Sequence, residues 1–263
     1  MLHTLDQILD DIKLHINEKL PFSLVRIGDG DLKLLACLIQ GEINEQKFKR
    51  SGVPHEKAEW VLNLYRQSCN SANYTSSFEM YYTDRFWNRA FSKGTRQKVK
   101  SWRKIYKQAG IYNKNFCNPE IGYLLFLNES RNLLTVLKDR KVCLITSHPK
   151  AAKKLNKVAK IFTTAIEIPD INRGHYKVYK NTLTEIENRI KDVDVFFISA
   201  GLLGKGYSNK IKQCGGVAVD IGQVINTWNG RRVAKRFVGI LKPDDQRLLF
   251  ELTKKASQYR KYL

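Results

Sequence analysis

The stretch SLVRIGDGDLKLL, residues 23–35, sets two carboxylates, Asp29 and Asp31, one residue apart between glycines, where an apolar run meets a helical pattern. Hard divalent cations such as Mg²⁺ and Mn²⁺ prefer carboxylate oxygen, and one or two carboxylates with a substrate diphosphate complete their shell. Gly28 and Gly30 allow tight backbone turns that a Cβ resists. The same acids also suit a helix N-terminus, where they would cap free N–H groups and do no chemistry. The calcium-loop pattern is not met, because its further ligands and its closing Glu are missing.

A second constellation is SAGLLGKGYSNKI, residues 199–211, a glycine-rich strand-to-helix loop holding Gly201, Gly204, Lys205 and Gly206. It is neither a P-loop nor a GxGxxG turn. A phosphate or diphosphate at the following helix N-terminus is one reading, a plain tight turn the other. Asp220 closes the strand GGVAVDIG, and His148 and His175 sit in loops after strands, where a general base would be useful. A lone loop histidine is more often solvated surface. No Ser-His-Asp spacing, GxSxG, RNP, KH or zinc-finger signature occurs.

Elements must hold these residues. Leu5, Ile8, Leu9, Ile12 and Ile16 recur at helical spacing before Pro21, and FSLVRI reads as a short buried strand. DLKLLACLIQG continues as a helix with Leu32, Leu35, Ala36 and Ile39 on one face and Gly41 at its end. Residues 55–72 read as helix, and SSFEMYYTDRFW is ambiguous between helix and strand. Residues 93–109 carry seven basic side chains and no acid, the pattern of a basic helix face. From residue 140 strands alternate with helices: KVCLIT, IFTTAIEIP, VDVFFISAG and GGVAVDIG as strands, with 149–160, 178–191 and 206–214 as helices. INRGHYK, residues 171–177, is a loop. That alternation predicts βαβ units, hence an α/β, Rossmann-like, mostly parallel sheet flanked by helices. The expected organisation is a single domain over 1–263, with a helical or irregular insertion in the first half (1–135) and a regular second half (136–263).

At 263 residues and 43% apolar composition the chain buries a full core and is not disordered. No run approaches the roughly 18–20 apolar residues of a membrane span, and the N-terminus lacks a signal-peptide cleavage site. Five dispersed cysteines without a CxxC pair read as reduced thiols, so a cytoplasmic protein is expected. Lys and Arg number 46 against 25 Asp and Glu, a net charge of +21, which favours anionic partners or reflects a lysine-rich proteome.

LVRIGDGDLKLL resembles the RFGDGE signature of the GT-D type of bacterial glycosyltransferase. VFFISAGLLGKGYSNKIKQCGGVAVDIGQV is similar to that family's second signature, a strand, a small-residue loop, a helix and a closing Asp-Ile-Gly-His strand. The likeness is concentrated at these two ends and vague through 45–135. It implies transfer of a sugar from a nucleotide-sugar donor, typically a UDP-hexose, on a Rossmann-like fold. By position the family's acidic pair, which lies at the donor diphosphate and its metal, falls on Asp29 and Asp31, its arginine on Arg26, and its closing aspartate on Asp220. There are two departures: Asp31 stands for the usual Glu, and Gln223 for the His.

These readings combine into an expectation. Asp29 and Asp31 hold Mn²⁺ or Mg²⁺ on the diphosphate of a UDP-sugar, with Gly28, Gly30 and Gly201 shaping the site and Arg26 and Lys205 adding positive charge. Asp220 is the first choice for the acceptor base and His175 the second, although Arg26 also suits internal pairing and Asp220 the capping of a turn. The expected acceptor is a cell-envelope glycan, a lipid-linked glycan or a glycoprotein, with peripheral contact to an anionic inner membrane face and no nucleic acid. The rivals are a metal-dependent phosphoryl-transfer or phosphodiester-cleaving enzyme, and a basic nucleic-acid or envelope-binding module without catalysis.

Overall fold

The computed structural model describes residues 3–43, 48, 51–78, 97, 100–128, 130–170 and 174–225. The ambiguous SSFEMYYTDRFW beyond Phe78, the first part of the basic 93–109 stretch except Gln97, and residues 171–173 of the INRGHYK loop lie outside them.

Helix α1 (Leu5–Asn17) starts at Thr4, whose hydroxyl accepts from the Gln7 N–H while the Gln7 side chain accepts from the Thr4 N–H. This reciprocal cap orients a stripe of Ile8, Leu9, Ile12 and Ile16 into the core. Strand β1 (Phe22–Val25) is buried along its whole length, as a central strand covered on both faces must be. It leads into α2 (Asp29–Ile39), which Gly41 ends in the left-handed conformation at φ +66°. There follow α3 (Ala58–Ser71), β2 (Tyr74–Ser76), α4 (Trp102–Ala109) and β3 (Phe116–Cys117). A helical turn at Ile121–Tyr123 runs through one π-turn into α5 (Ser130–Leu137). The second half alternates as expected: β4 (Val142–Thr146), α6 (Lys150–Ala159), β5 (Thr163–Glu167), α7 (Tyr179–Arg189), β6 (Val195–Ser199), α8 (Gly204–Gln213) and β7 (Val217–Asp220).

The seven strands among the described residues are all parallel, in the order β3-β2-β1-β7-β6-β4-β5. The first half contributes to the sheet as well. It supplies β1, β2 and β3, and β1 pairs directly with β7, Leu24 opposite Val219. The strands β2 and β3 escaped the sequence reading because they have three and two residues, too few to show a period. The order brings the ends of β1, β7 and β6 side by side, and these are the strands that precede or carry Asp31, Asp220 and Lys205. Right-handed crossovers put α6, whose connection runs opposite to that of α8, on the other face of the sheet. All five cysteines are free thiols, four of them buried.

Gly122 fixes how the Ile121–Tyr123 turn meets β7. A Cβ there would lie 2.2 Å from the Ile221 carbonyl oxygen and 2.8 Å from its carbon. Backbone cannot yield as a flexible side chain can, so Gly122→Ala is expected to destabilise the protein by about 3 kcal/mol, read by chemical denaturation. A loss below about 1 kcal/mol would show that this contact does not hold the turn against β7.

Candidate active site

The site is built at the carboxyl ends of β1, β7 and β6, where open parallel sheets bind ligands. Past β1 the backbone turns at Gly28 and α2 begins at once. Asp31 closes that first turn: its Oδ2 accepts from the Gly28 N–H at 2.8 Å, so the capping reading holds for this acid. Its Oδ1 accepts from the Tyr65 hydroxyl on α3 at 2.6 Å, and Oδ2 also lies 3.4 Å from the Lys205 ammonium.

Lys205 is 2% exposed and stands in the first turn of α8. Its Nζ donates to Asp220 Oδ2 at 3.1 Å and to the Gly201 carbonyl at 3.3 Å, with Asp31 as third neighbour. Two of its three N–H groups are thus engaged in hydrogen bonds, and the contact with Asp31 is an ion pair. Asp220, 3% exposed, uses its other oxygen to accept from the Gly222 N–H at 3.0 Å. Burial alone would raise the Asp31 pKa, but Lys205, Tyr65, the Gly28 N–H and Arg26 outweigh it and hold the carboxyl below its ordinary value. Burial would likewise lower the Lys205 pKa, and Asp220 and Asp31 reverse this and raise it. The Tyr65 hydroxyl is driven well up by burial and by Asp31, so it stays a donor.

Arg26 stands beside this cluster: a Cβ at Gly28 would lie 3.2 Å from its Nη1 and 3.5 Å from Asp31 Oδ2. Its Nε donates to the Pro119 carbonyl, its guanidinium lies 3.7 Å from Glu120, and it packs over Gly222, where a Cβ would meet Nη1 at 2.7 Å. The internal-pairing alternative for Arg26 is what the geometry shows. The adjoining Ile27 N–H is held by the Ser76 hydroxyl at 3.0 Å, which ties the end of β1 to β2.

Asp29 differs from every other acid here. It is exposed at the first position of α2, and its side chain has no partner among the described residues. Gly30 beside it opens onto space, with nothing within 4 Å of where a Cβ would stand. Among the described residues Asp31 and Asp220 share the Lys205 ammonium, and Glu120 lies against Arg26.

A divalent metal fits this arrangement at Asp29 and poorly at Asp31. Asp31 Oδ2 already accepts an N–H and lies against an ammonium that repels a second cation, and its Oδ1 is engaged by Tyr65. Among the described residues no group of three or more His, Cys, Asp and Glu side chains converges on one point. Any such ion would take most of its ligands from substrate and water, as Mg²⁺ commonly does.

The two candidate bases are both sequestered. Asp220 is Lys205's partner, with both oxygens used. His175 is 1% exposed, and its Nε2 lies 3.0 Å from the Tyr207 hydroxyl on α8, apart from the acids. Burial lowers its pKa to about 4, which makes it a weak base at neutral pH. The sign for stability follows. The ring is neutral in the folded protein above pH 4 but takes up a proton below about 6.5 once unfolded, so stability is full above pH 6.5 and falls as pH drops towards 4. Wild type is expected to lose about 3 kcal/mol more than His175→Gln over that window, read by urea melts at successive pH values. Parallel pH profiles for the two proteins would contradict this. His148 lies at the end of β4, half-buried, with its N–H held by the Thr146 hydroxyl at 3.1 Å, and Gln223 is exposed.

Sequence reasoning missed Tyr65 and Glu120. Tyr65 sits on the apolar stripe of its helix, where its ring looks like any core aromatic. Glu120 falls in a stretch without periodicity, so only the contact with Arg26 singles it out.

Two solved structures share this architecture. One, a highly conserved domain of unknown function 1792 described as having a distinct glycosyltransferase fold, superposes with a TM-score of 0.57 at 11% identity, covering 87% of this chain and 81% of that one. The other, a new glycosyltransferase (DUF1792) from Streptococcus sanguinis, gives 0.56 at 14% identity over 85% and 81%. No curated protein matches the sequence. The profile of the GT-D fold-like domain matches residues 3–228, from the first described residue to just beyond the last, and the protein therefore belongs to that family and has a glycosyltransferase fold.

Proposed function

We propose that this GT-D-family glycosyltransferase moves a sugar from a nucleoside diphosphate donor, a UDP-hexose by preference, to a hydroxyl of an envelope glycan, lipid-linked glycan or glycoprotein. The observation that carries the reading is Asp29, exposed at the head of α2 with no side-chain partner among the described residues, beside Gly30, which has no described neighbour within 4 Å of a Cβ. A leaving diphosphate needs its charge neutralised, so a divalent cation, Mn²⁺ or Mg²⁺, is part of the proposal. Bound through Asp29, such an ion would neutralise the leaving diphosphate.

The chain's own residues do the rest. The N–H groups at the head of α2 face the diphosphate end of the ligand. Asp31, Lys205 and Asp220 keep the three strand ends in register. In the reaction the acceptor oxygen bonds to the anomeric carbon, the bond from that carbon to the diphosphate oxygen breaks, and the acceptor proton leaves to a base. Asp220 serves as that base only if Lys205 releases it, and His175 only if its loop opens.

The charge on the surface suits an anionic acceptor. Lys100, Arg103, Lys104 and Lys107 are exposed at or on α4, which packs against α2. Peripheral contact with an anionic membrane face fits the same cations, and no described helix is long and apolar enough to cross a membrane.

A thermal-shift panel of nucleoside diphosphates and nucleotide sugars, with Mn²⁺ or with chelator, tests this. A UDP-sugar at about 100 times its Kd is expected to add about 2.7 kcal/mol of stability in Mn²⁺. No shift with any nucleotide in the presence of metal would overturn the assignment.

A further inference from the structure

The signature supplies two acids, and the structure treats them differently. We propose that Asp31 is a positioning residue and not a metal ligand: with Tyr65 and Asp220 it anchors the Lys205 ammonium as a fixed internal cation beneath the donor site, leaving Asp29 as the one signature acid that meets a metal–diphosphate. This rests on the donor reading above and adds to it the separate roles of the two carboxylates.

Asp31 Oδ2 takes the Gly28 N–H at 2.8 Å and the Lys205 ammonium at 3.4 Å, and Oδ1 takes the Tyr65 hydroxyl at 2.6 Å. A dication bound to Asp31 would have to displace Lys205 or stand against it. Lys205 in turn donates to Asp220 and to the Gly201 carbonyl and pairs with Asp31, so its ammonium is turned into the fold. On this proposal Lys205 supplies its positive charge from within the fold. Nζ lies within 3.4 Å of both carboxylates, so a single cation offsets the charge of the buried Asp220 and the partly buried Asp31.

The consequence for function runs through α2. Asp31 is two residues beyond Asp29, and its bond to the Gly28 N–H sets the first turn on which Asp29 stands. Loosening Asp31 misplaces Asp29 without removing it. A displacement of about 1 Å is enough to slow a reaction on the order of 100-fold while leaving binding groups in place.

Three variants separate the roles: Asp29→Asn, Asp31→Asn and Tyr65→Phe. Mn²⁺ affinity in the presence of UDP is read by electron paramagnetic resonance, alongside melting and steady-state kinetics. Asp29→Asn is expected to lose Mn²⁺-dependent UDP affinity about 100-fold with its melting temperature unchanged. Asp31→Asn is expected to keep that affinity within about threefold while melting lower. Tyr65→Phe retains the Asp31 charge and guards against a misfolded Asp31→Asn. It is expected to lower kcat about tenfold, with the KM for the nucleotide sugar and the Mn²⁺ affinity within about twofold. If Asp31 were a ligand, freeing Oδ1 in Tyr65→Phe would tighten Mn²⁺ binding, and Asp31→Asn would lose it as Asp29→Asn does; either result overturns the proposal.

A double-mutant cycle of Asp31→Asn with Lys205→Met, read by melting without nucleotide or metal, decides the internal role independently. Strongly non-additive losses support it, and additive losses overturn it. Failure of the donor reading looks different: wild type itself would then show no Mn²⁺-dependent nucleotide binding while the cycle still reports coupling.

Discussion

Lys205→Met is expected to cost about 3–5 kcal/mol of stability, the range for breaking a buried ion pair by removing one partner. The substitution keeps an unbranched chain of similar length, so packing changes little. What it removes is the ammonium 3.4 Å from Asp31 and 3.1 Å from Asp220, leaving a buried and a partly buried carboxylate without it. It also leaves the Gly201 carbonyl without its side-chain donor, at a glycine held in the left-handed region at φ +55°. The melting temperature should fall by roughly 10 °C, measured by differential scanning fluorimetry. Adding Asp220→Asn should restore part of the loss, because one charge then remains instead of two. A single mutant as stable as wild type would mean that the acids are solvated in solution and that the buried arrangement is not maintained.

Asp29→Asn should have the opposite profile, with activity lost and stability kept. The side chain is exposed and without a partner among the described residues, so folding loses only its interaction with the α2 dipole, under about 1 kcal/mol. Catalysis loses the carboxylate that would hold the divalent cation on the leaving diphosphate. A fall in kcat/KM of about 100-fold or more is expected, equivalent to about 2.7 kcal/mol of transition-state stabilisation. The assay is sugar transfer or nucleoside diphosphate release at matched Mn²⁺ concentrations. Retained activity in Asp29→Asn would remove the residue on which the proposed site rests. Together the two variants separate the acid that faces the ligand from the cation that holds the fold.

The sequence carried the second half of the fold well. Strands β4, β6 and β7 are mostly apolar and buried, helices of ten or eleven residues follow β4, β5 and β6, and that alternation is legible without coordinates. The first half was harder for a physical reason. Strands β2 and β3 are short, and Tyr74, Thr75 and Ser76 mix polar and aromatic types although all three are buried. Their place in the sheet comes from pairing, Leu24 opposite Tyr74 and Thr75 opposite Phe116, which no local pattern encodes.

The candidate site was legible in part. Spacing marked Asp29, Asp31, Lys205 and Asp220 as chemistry-bearing residues, and the adjacency of β1, β7 and β6 brings Asp31, Lys205 and Asp220 into contact. Spacing could not show that Lys205 would point inward, because a lysine after a glycine-rich loop suits a phosphate equally well. Nor could it show that Tyr65, distant in the chain, donates to Asp31. His175 illustrates the converse. Its loop position suggested an accessible base, whereas packing against Tyr207 buries it and lowers its pKa.

The central claim is that the chain turns over a nucleotide sugar at Asp29. The most direct measurement is release of nucleoside diphosphate from a panel of nucleotide sugars by the full chain, in Mn²⁺ and in chelator, beside Asp29→Asn. The account predicts release from a UDP-sugar that requires metal and falls about 100-fold in the variant. Absence of release from every nucleotide sugar by folded wild-type protein in Mn²⁺, or release that Asp29→Asn leaves untouched, would contradict it.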